Sequence, residues 1–434
     1  SLTVEDRLRI VKKLDALGIP LIEGGYPASN AKEAEFFEKA HALKLDQARL
    51  VAFGSTRRKD RCVERDEGLS ALLASGCMVV DIVGKAHARH VELALETTRE
   101  ENLQMVRDSV SYLLDAGRTV HFSAEHYFDG YLFDRDYARH VVLTAARAGA
   151  QAVILCDTNG GSLPFMVEEI VSDTRMMLDE NGFSEVEVGI HAHDDAGCGV
   201  ANTLMAIRAG AALAMGTING YGERVGNADL TTVIADLVLK MGKDVISHAQ
   251  LTQLTSTAHF VAAVFNDSLD PHHPFVGTSA FAHKGGLHVS AQQRMPGAYE
   301  HVDPARVGNF AHVVVSELAG RASLIDKAHE FGIELEDRDA ATASALAEIK
   351  EREHDGYSYE LADASLALLV ESHLAGRPEY FDLESFRVIA DKYADGRVMT
   401  EATIKIHVDD ERFIATGEGN GPVNALDVAL RAAI

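Results

Sequence analysis

Seven nearly continuous apolar runs, separated by amphipathic stretches, restrict this chain more than any other feature. The runs are PLIEGGYP (Pro20–Pro27), RLVAFGS (Arg49–Ser55), CMVVDIVG (Cys77–Gly84), VHFSAEHYF (Val120–Phe128), AVILCDTNG (Ala152–Gly160), VEVGIHAHDD (Val186–Asp195) and ALAMGTING (Ala212–Gly220). Runs apolar at successive positions suit parallel strands covered on both faces. Between them lie helical segments such as Thr97–Ala116, where Leu103, Val106, Val110, Leu113 and Leu114 recur at helical spacing. Strands alternating with helices predict a parallel α/β architecture. The regular spacing over about 240 residues favours a (β/α)8 TIM barrel over an open doubly wound sheet. An eight-fold barrel opens on a strand, whereas this chain opens on a helix, Val4–Leu17. The expectation is therefore a barrel whose first strand lies upstream of Ser1.

A chain of 434 residues exceeds one compact core. The rhythm changes after Lys243, giving expected domains at 1–243 (barrel), 244–375 (linker and helical subdomains) and 383–434. The last reads as a small α+β regulatory domain: strands Phe386–Tyr393, Met399–Asp409 and Arg412–Gly419, then a helix, Pro422–Ala433. A formal charge of −25 repels phosphate backbones and argues against a nucleic-acid partner. No run reaches the roughly 20 apolar residues of a membrane helix, and no secretory leader precedes the charged opening SLTVEDRLRI, so the cytoplasm is the expected compartment. Cys62, Cys77, Cys156 and Cys198 form no CxxC pair; they read as reduced thiols, with Cys77 and Cys156 buried in strands.

The strongest chemical signal is GIHAHDDAG (Gly189–Gly197). Residues i and i+2 of a strand share a face, so His191 and His193 project together near its C-terminal end, which in a barrel is the active-site face. Two adjacent imidazoles suit Zn²⁺, Mn²⁺ or Fe²⁺ and tolerate Mg²⁺. The competing reading has one histidine packed and the other merely exposed. Asp194 and Asp195 can orient ligands or cap the following helix. In GTINGYGERVGNADL (Gly216–Leu230), three glycines allow close backbone approach, and Asn227 offers either a metal-ligating carbonyl or a helix cap. Glu223 and Arg224 can pair with each other or with a substrate. The loop's resemblance to a dinucleotide fingerprint is discounted, because it follows the wrong strand. Glu23, Glu125 with His126, and Asp157, Thr158 and Asn159 end other strands. Each is open to an ordinary loop-mouth role, but together they describe a polar rim suited to catalysis.

HAHDDAGCGVANTLMAIRAGA and GTINGYGERVGNADL resemble the α-isopropylmalate, homocitrate and citramalate synthase family. EGGYPASN, PFVGTSAFAHKGGLHVSA (Pro274–Ala291) and YEHVDPARVGNFAHVVVSELAGRASL (Tyr299–Leu324) look most like its citramalate branch, and GEGNGPVNALDVALRAA resembles the family's regulatory domain. The match spans nearly the whole chain. It implies condensation of acetyl-CoA, as co-substrate, with a 2-oxo acid, pyruvate in that branch, giving citramalate and CoA for isoleucine synthesis. It also implies a divalent ion (Mg²⁺, Mn²⁺ or Zn²⁺) held by His191, His193 and Asn227. Thr158 matches the residue holding the keto-acid carboxylate and Glu125 the catalytic carboxylate. His288 and Tyr299 match residues that complete the site, often across a homodimer; the base is either Glu125 or His288 with Tyr299. Isoleucine is the implied feedback inhibitor. The family's first strand ends in an Arg-Asp pair that binds keto acid and metal, and this chain opens just after that point, so it is expected to be incomplete there and short at the C-terminal domain. The rivals are isopropylmalate or homocitrate formation, a metal-dependent acyl-CoA lyase or aldolase, and a non-catalytic amino-acid sensor.

Overall fold

The computed structural model describes residues 2–283, 291, 294–295, 297–313, 321–335, 340–359, 362–374 and 380–434. They divide into two compact units, one running to His283 with a return segment ending at His312, the other Val313–Ile434.

The first unit is built on seven parallel strands: β1 Leu21–Glu23, β2 Arg49–Ser55, β3 Val79–Lys85, β4 Thr119–Glu125, β5 Ala152–Asp157, β6 Glu187–Ala192 and β7 Leu213–Met215. They hydrogen-bond in chain order, with helices in the connections, as in a TIM-like barrel. The opening helix, Val4–Leu17, starts in a Thr3–Asp6 capping box and stops at Gly18, whose φ of 95° suits a residue without Cβ. Of the strands, β5 is buried at every position. At the sheet's two edges, β1 and β7 flank a groove of about 510 Å³ that also takes in Leu14, Phe36, His191 and Asn227.

The strands differ from their sequence expectation in one instructive way. Val80, Ile82, Phe122, Ala124, Val153, Leu155, Val188, Ile190 and Ala192 join the helices in the main apolar core. These are alternate positions, so the residues that alternate with them, Asp81, Ser123, Glu125, Cys156 and His191, face the other side of the sheet, the concave one. The runs look uniformly apolar because small and aliphatic residues dilute this polar set. Several strands are also shorter than the expected runs: Pro20–Pro27 is a strand only at Leu21–Glu23, and the runs Ala152–Gly160 and Val186–Asp195 stop at Asp157 and Ala192. The one expected through Phe128 stops at Glu125, because His126 turns left-handed (φ 58°) and a helix, Tyr127–Phe133, begins. The one expected over Ala212–Gly220 is a strand only at Leu213–Met215. Cys156 is buried in β5, and Cys77 is buried just before β3.

In the second unit, helices Arg321–Glu330, Ala340–His354 and Asp363–Ser372 gather around Leu324, Ile349, Leu366 and Val370. Strands Asp382–Lys392, Val398–Val408 and Glu411–Gly419 form an antiparallel sheet. Helix Pro422–Ala433 packs Ala429 against Ile404 and Ile406 of that sheet. No helix among the described residues is long and apolar enough to cross a membrane.

Candidate active site

Strand β6 delivers His191 from within its last turn of pairing, opposite Cys156 on one side and Met215 on the other. His193 follows one residue beyond the strand. The two rings lie 5.2 Å apart, centroid to centroid. Burial pushes the His191 imidazole down to about 4, with the neighbouring His193 adding to the effect. Burial and then the Arg224 guanidinium lower His193 as well. Both rings are therefore neutral near pH 7, the form that ligates metals.

The glycine-rich loop after β7 folds back onto the end of β6. Ala228 N–H donates to the Ala192 carbonyl (2.9 Å), and Asp194 N–H to that of Gly226 (3.1 Å). Gly226 must be glycine: its φ is 106°, and a Cβ there would strike the Gly220 carbonyl. This zipper carries Asn227 to the histidines, with its Nδ2 at 3.1 Å from His191 Nε2. Asn227 is thus a neighbour of the pair rather than a helix cap; Asp229 caps helix Leu230–Leu239 instead. His193 Nδ1 is buried with no hydrogen-bond partner. Such an atom is costly unless something is meant to meet it. An orphaned imidazole nitrogen, a second imidazole and an amide that presents oxygen when reversed make a donor set that fits a divalent cation.

Around this pair the strand ends converge. Glu125 sits in register with Lys85, and their side chains form an ion pair at 2.6 Å. The His126 main-chain N–H donates to Thr158 Oγ1 (2.8 Å). A hydroxyl that already accepts there keeps its own hydrogen free for an anionic ligand. Arg224 pairs with Asp195 through both nitrogens (2.8 and 2.9 Å), not with Glu223, and also donates to the Thr158 carbonyl (2.8 Å). It clamps three strand-end loops together. Asp194 accepts from Gly199 N–H (2.6 Å) at the start of the next helix. Asp157 is occupied by Ser162, whose Oγ donates to it at 2.9 Å. Glu23 lies on the groove wall at the end of β1. Tyr299 occupies a surface turn, 52% exposed, and His288 lies outside the described residues.

Two features escaped the sequence reading. Lys85 was findable, since it ends its strand as Glu125 does. The other is a cluster of His87, His90 and Asp129, whose ligand atoms all lie within 4.8 Å of one another.

Seven parallel strands with polar side chains gathered at their C-terminal ends define the class: a TIM-like barrel fold with its candidate site on the face barrel enzymes use. The HMGL-like family model matches residues 1–261, the homocitrate synthase post-HMGL domain-like model 275–356, and the LeuA allosteric (dimerisation) domain model 360–434. The chain is 49% identical to an (R)-citramalate synthase of Streptomyces coelicolor over its whole length and 80% of that protein. It is 46% identical to one of Synechocystis, again over all of this chain and 80% of the relative. The hydroxymethylglutaryl-CoA lyase structure from Pseudomonas aeruginosa shares the fold, with TM-score 0.51 and 19% identity over 62% of this chain and 88% of that one. The chain belongs to the HMGL-like family and, within it, to the citramalate synthases.

Proposed function

We propose that this enzyme condenses acetyl-CoA with pyruvate and water to give (R)-citramalate and free CoA, and that the residues around His191 carry the reaction. The supporting observation is the neutral pair His191 and His193 set beside Asn227, one strand from Thr158 and two from Glu125. These three would hold a divalent ion, which supplies Lewis acidity at the 2-oxo group of pyruvate. Thr158 Oγ donates to the pyruvate carboxylate, with its orientation fixed by the His126 N–H. A base takes a proton from the acetyl methyl group, and the resulting carbanion forms the new C–C bond to the oxo carbon. Glu125 is one candidate for that base, with Lys85 placing its carboxylate; His288 with Tyr299 is the other. Hydrolysis of the thioester then releases CoA and makes the step irreversible. The second unit's relationship to the LeuA allosteric (dimerisation) domain supports a homodimer and an amino-acid effector, for which isoleucine is the proposal. The proposed compartment is the cytoplasm.

The test is release of CoA by the complete gene product with pyruvate, 2-oxoisovalerate or 2-oxoglutarate. Pyruvate is expected to be preferred by tenfold or more, since one extra methylene is worth about 1–3 kcal/mol in a fitted pocket. Preference for a larger oxo acid would assign a sister synthase, and cleavage of a hydroxyacyl-CoA without condensation would assign a lyase. Millimolar isoleucine is expected to inhibit; undiminished turnover would remove it as effector.

A further inference from the structure

We propose that His87, His90 and Asp129 form a second cation site on the rim, one that takes a borderline transition-metal ion such as Zn²⁺ or Co²⁺ in preference to Mg²⁺. Two strand ends build it. His87 and His90 occupy the opening turn of helix Ala88–Leu93, just past β3, at the i, i+3 spacing that puts both on one side. Asp129 comes from helix Tyr127–Phe133, just past β4. Their ligand atoms already lie within 4.8 Å of one another. A tetrahedral zinc ion with bonds of about 2.0–2.1 Å sets its donors roughly 3.3 Å apart, so modest side-chain rotations close the site.

The surroundings are ordered as a metal site's are. The His87 ring stacks on Phe133 with centroids 4.9 Å apart, and the His90 ring lies tilted beside it at 4.5 Å. His126 lies 4.2 Å from the His90 ring, and its Nδ1 holds the Asp129 carboxylate at 3.0 Å. Such an outer hydrogen bond fixes a ligating carboxylate in place. His126 is itself held in a left-handed conformation that non-glycine residues seldom adopt (φ 58°). One bond opposes binding: His87 Nδ1 accepts from Arg89 N–H at 3.2 Å, so a cation taken at Nε2 displaces that helix cap. Two imidazoles with one carboxylate favour zinc-like ions, whereas Mg²⁺ prefers all-oxygen shells. The site shares no residue with His191, His193 and Asn227, and the proposal stands whatever the reaction at those residues proves to be.

Zn²⁺ binding to the full chain in several millimolar Mg²⁺, followed by calorimetry, tests this. The wild type is expected to bind one more Zn²⁺ per chain than His90→Ala or Asp129→Asn, with affinity for the extra ion falling at least tenfold in either variant. A His191→Ala chain is expected to retain that extra ion. Thermal melting confirms that each variant is folded. Independently of any variant, Zn²⁺ is expected to protect His87 and His90 of the wild-type protein from diethyl pyrocarbonate, read by peptide mass spectrometry. Equal stoichiometry in folded variants, or labelling of both histidines unchanged by Zn²⁺, would overturn the site.

Discussion

The molecule carries two histidine groups past strand ends; burial lowers the basicity of all four rings, and what differs is their company. His191 and His193 sit where burial strips their charge, with a neutral amide for company. His87 and His90 stand on the rim beside the carboxylate of Asp129, itself paired with His126. A neutral amide leaves the first pair without a counter-charge of its own, whereas Asp129 adds a carboxylate to the second, which suits it to hold a cation. The first group, on the strand next to that of Thr158 and two from that of Glu125, should govern chemistry, and the second should only modulate metal content.

The largest effect that could break this contrast is expected at the first group. His191→Ala and His193→Ala should each lower CoA release with pyruvate by about 10³-fold or more, because the ion's Lewis acidity is worth several kcal/mol. His90→Ala should stay within a few-fold of wild type in the same assay. Comparable losses in all three would erase the distinction between the groups.

Next in size is Glu125→Gln. Removing the carboxylate while keeping its shape breaks the ion pair with Lys85. A drop in kcat of roughly 10²–10⁴ is expected if Glu125 moves a proton. A change confined to KM would give the proton step to His288 with Tyr299 and leave Glu125 a positioning residue.

The two groups were also unequally legible in the sequence. His191 and His193 are two residues apart on one strand, so period-two geometry alone placed them on a shared face. Asn227 reached them through a loop whose glycines announced close approach, though not its destination, and the alternative of a helix cap fell only when Asp229 took that role. His87 and His90 open one short helix and Asp129 lies in another more than thirty residues on, and nothing local couples that carboxylate to the two rings. The helix Pro422–Ala433 and the opening helix were read to the residue, because proline and a capping box mark their starts. The break at His126 was not, since a left-handed histidine leaves no composition signal.

A smaller loss is expected at Arg224. It joins Asp195 to the Thr158 carbonyl without being placed on substrate. Arg224→Ala should lower kcat/KM for pyruvate by about ten- to a hundredfold, the range for a displacement near 1 Å. The exposed pair itself contributes little to stability, so the melting temperature should hold. A matching fall in melting temperature would recast Arg224 as a fold determinant.

The smallest expected effect tests the premise of the comparison, that the concave face of the sheet is poorly solvated. If it neutralises a histidine by lowering its basicity, it must also neutralise an acid by raising its pKa. Asp81 is that acid: 1% exposed, it accepts from Ser123 Oγ at 2.8 Å, and burial pushes it up to about 6. Between its ordinary value of 3.8 and about 6, the native state binds more protons than the unfolded chain. Its contribution is therefore fully present below the lower value and is lost as pH rises through the upper one. Asp81→Asn keeps a hydrogen-bonding side chain and removes the titration. Relative to wild type, the variant should gain stability steadily from pH 4 to pH 6 and then level off. The full gain is on the order of 1–3 kcal/mol, at about 1.4 kcal/mol per pH unit. Urea titrations of both proteins across that range read the difference directly. A difference that does not change with pH would mean the concave face is wetter than the burial of Asp81 indicates, and the neutrality assigned to His191 would lose its cause.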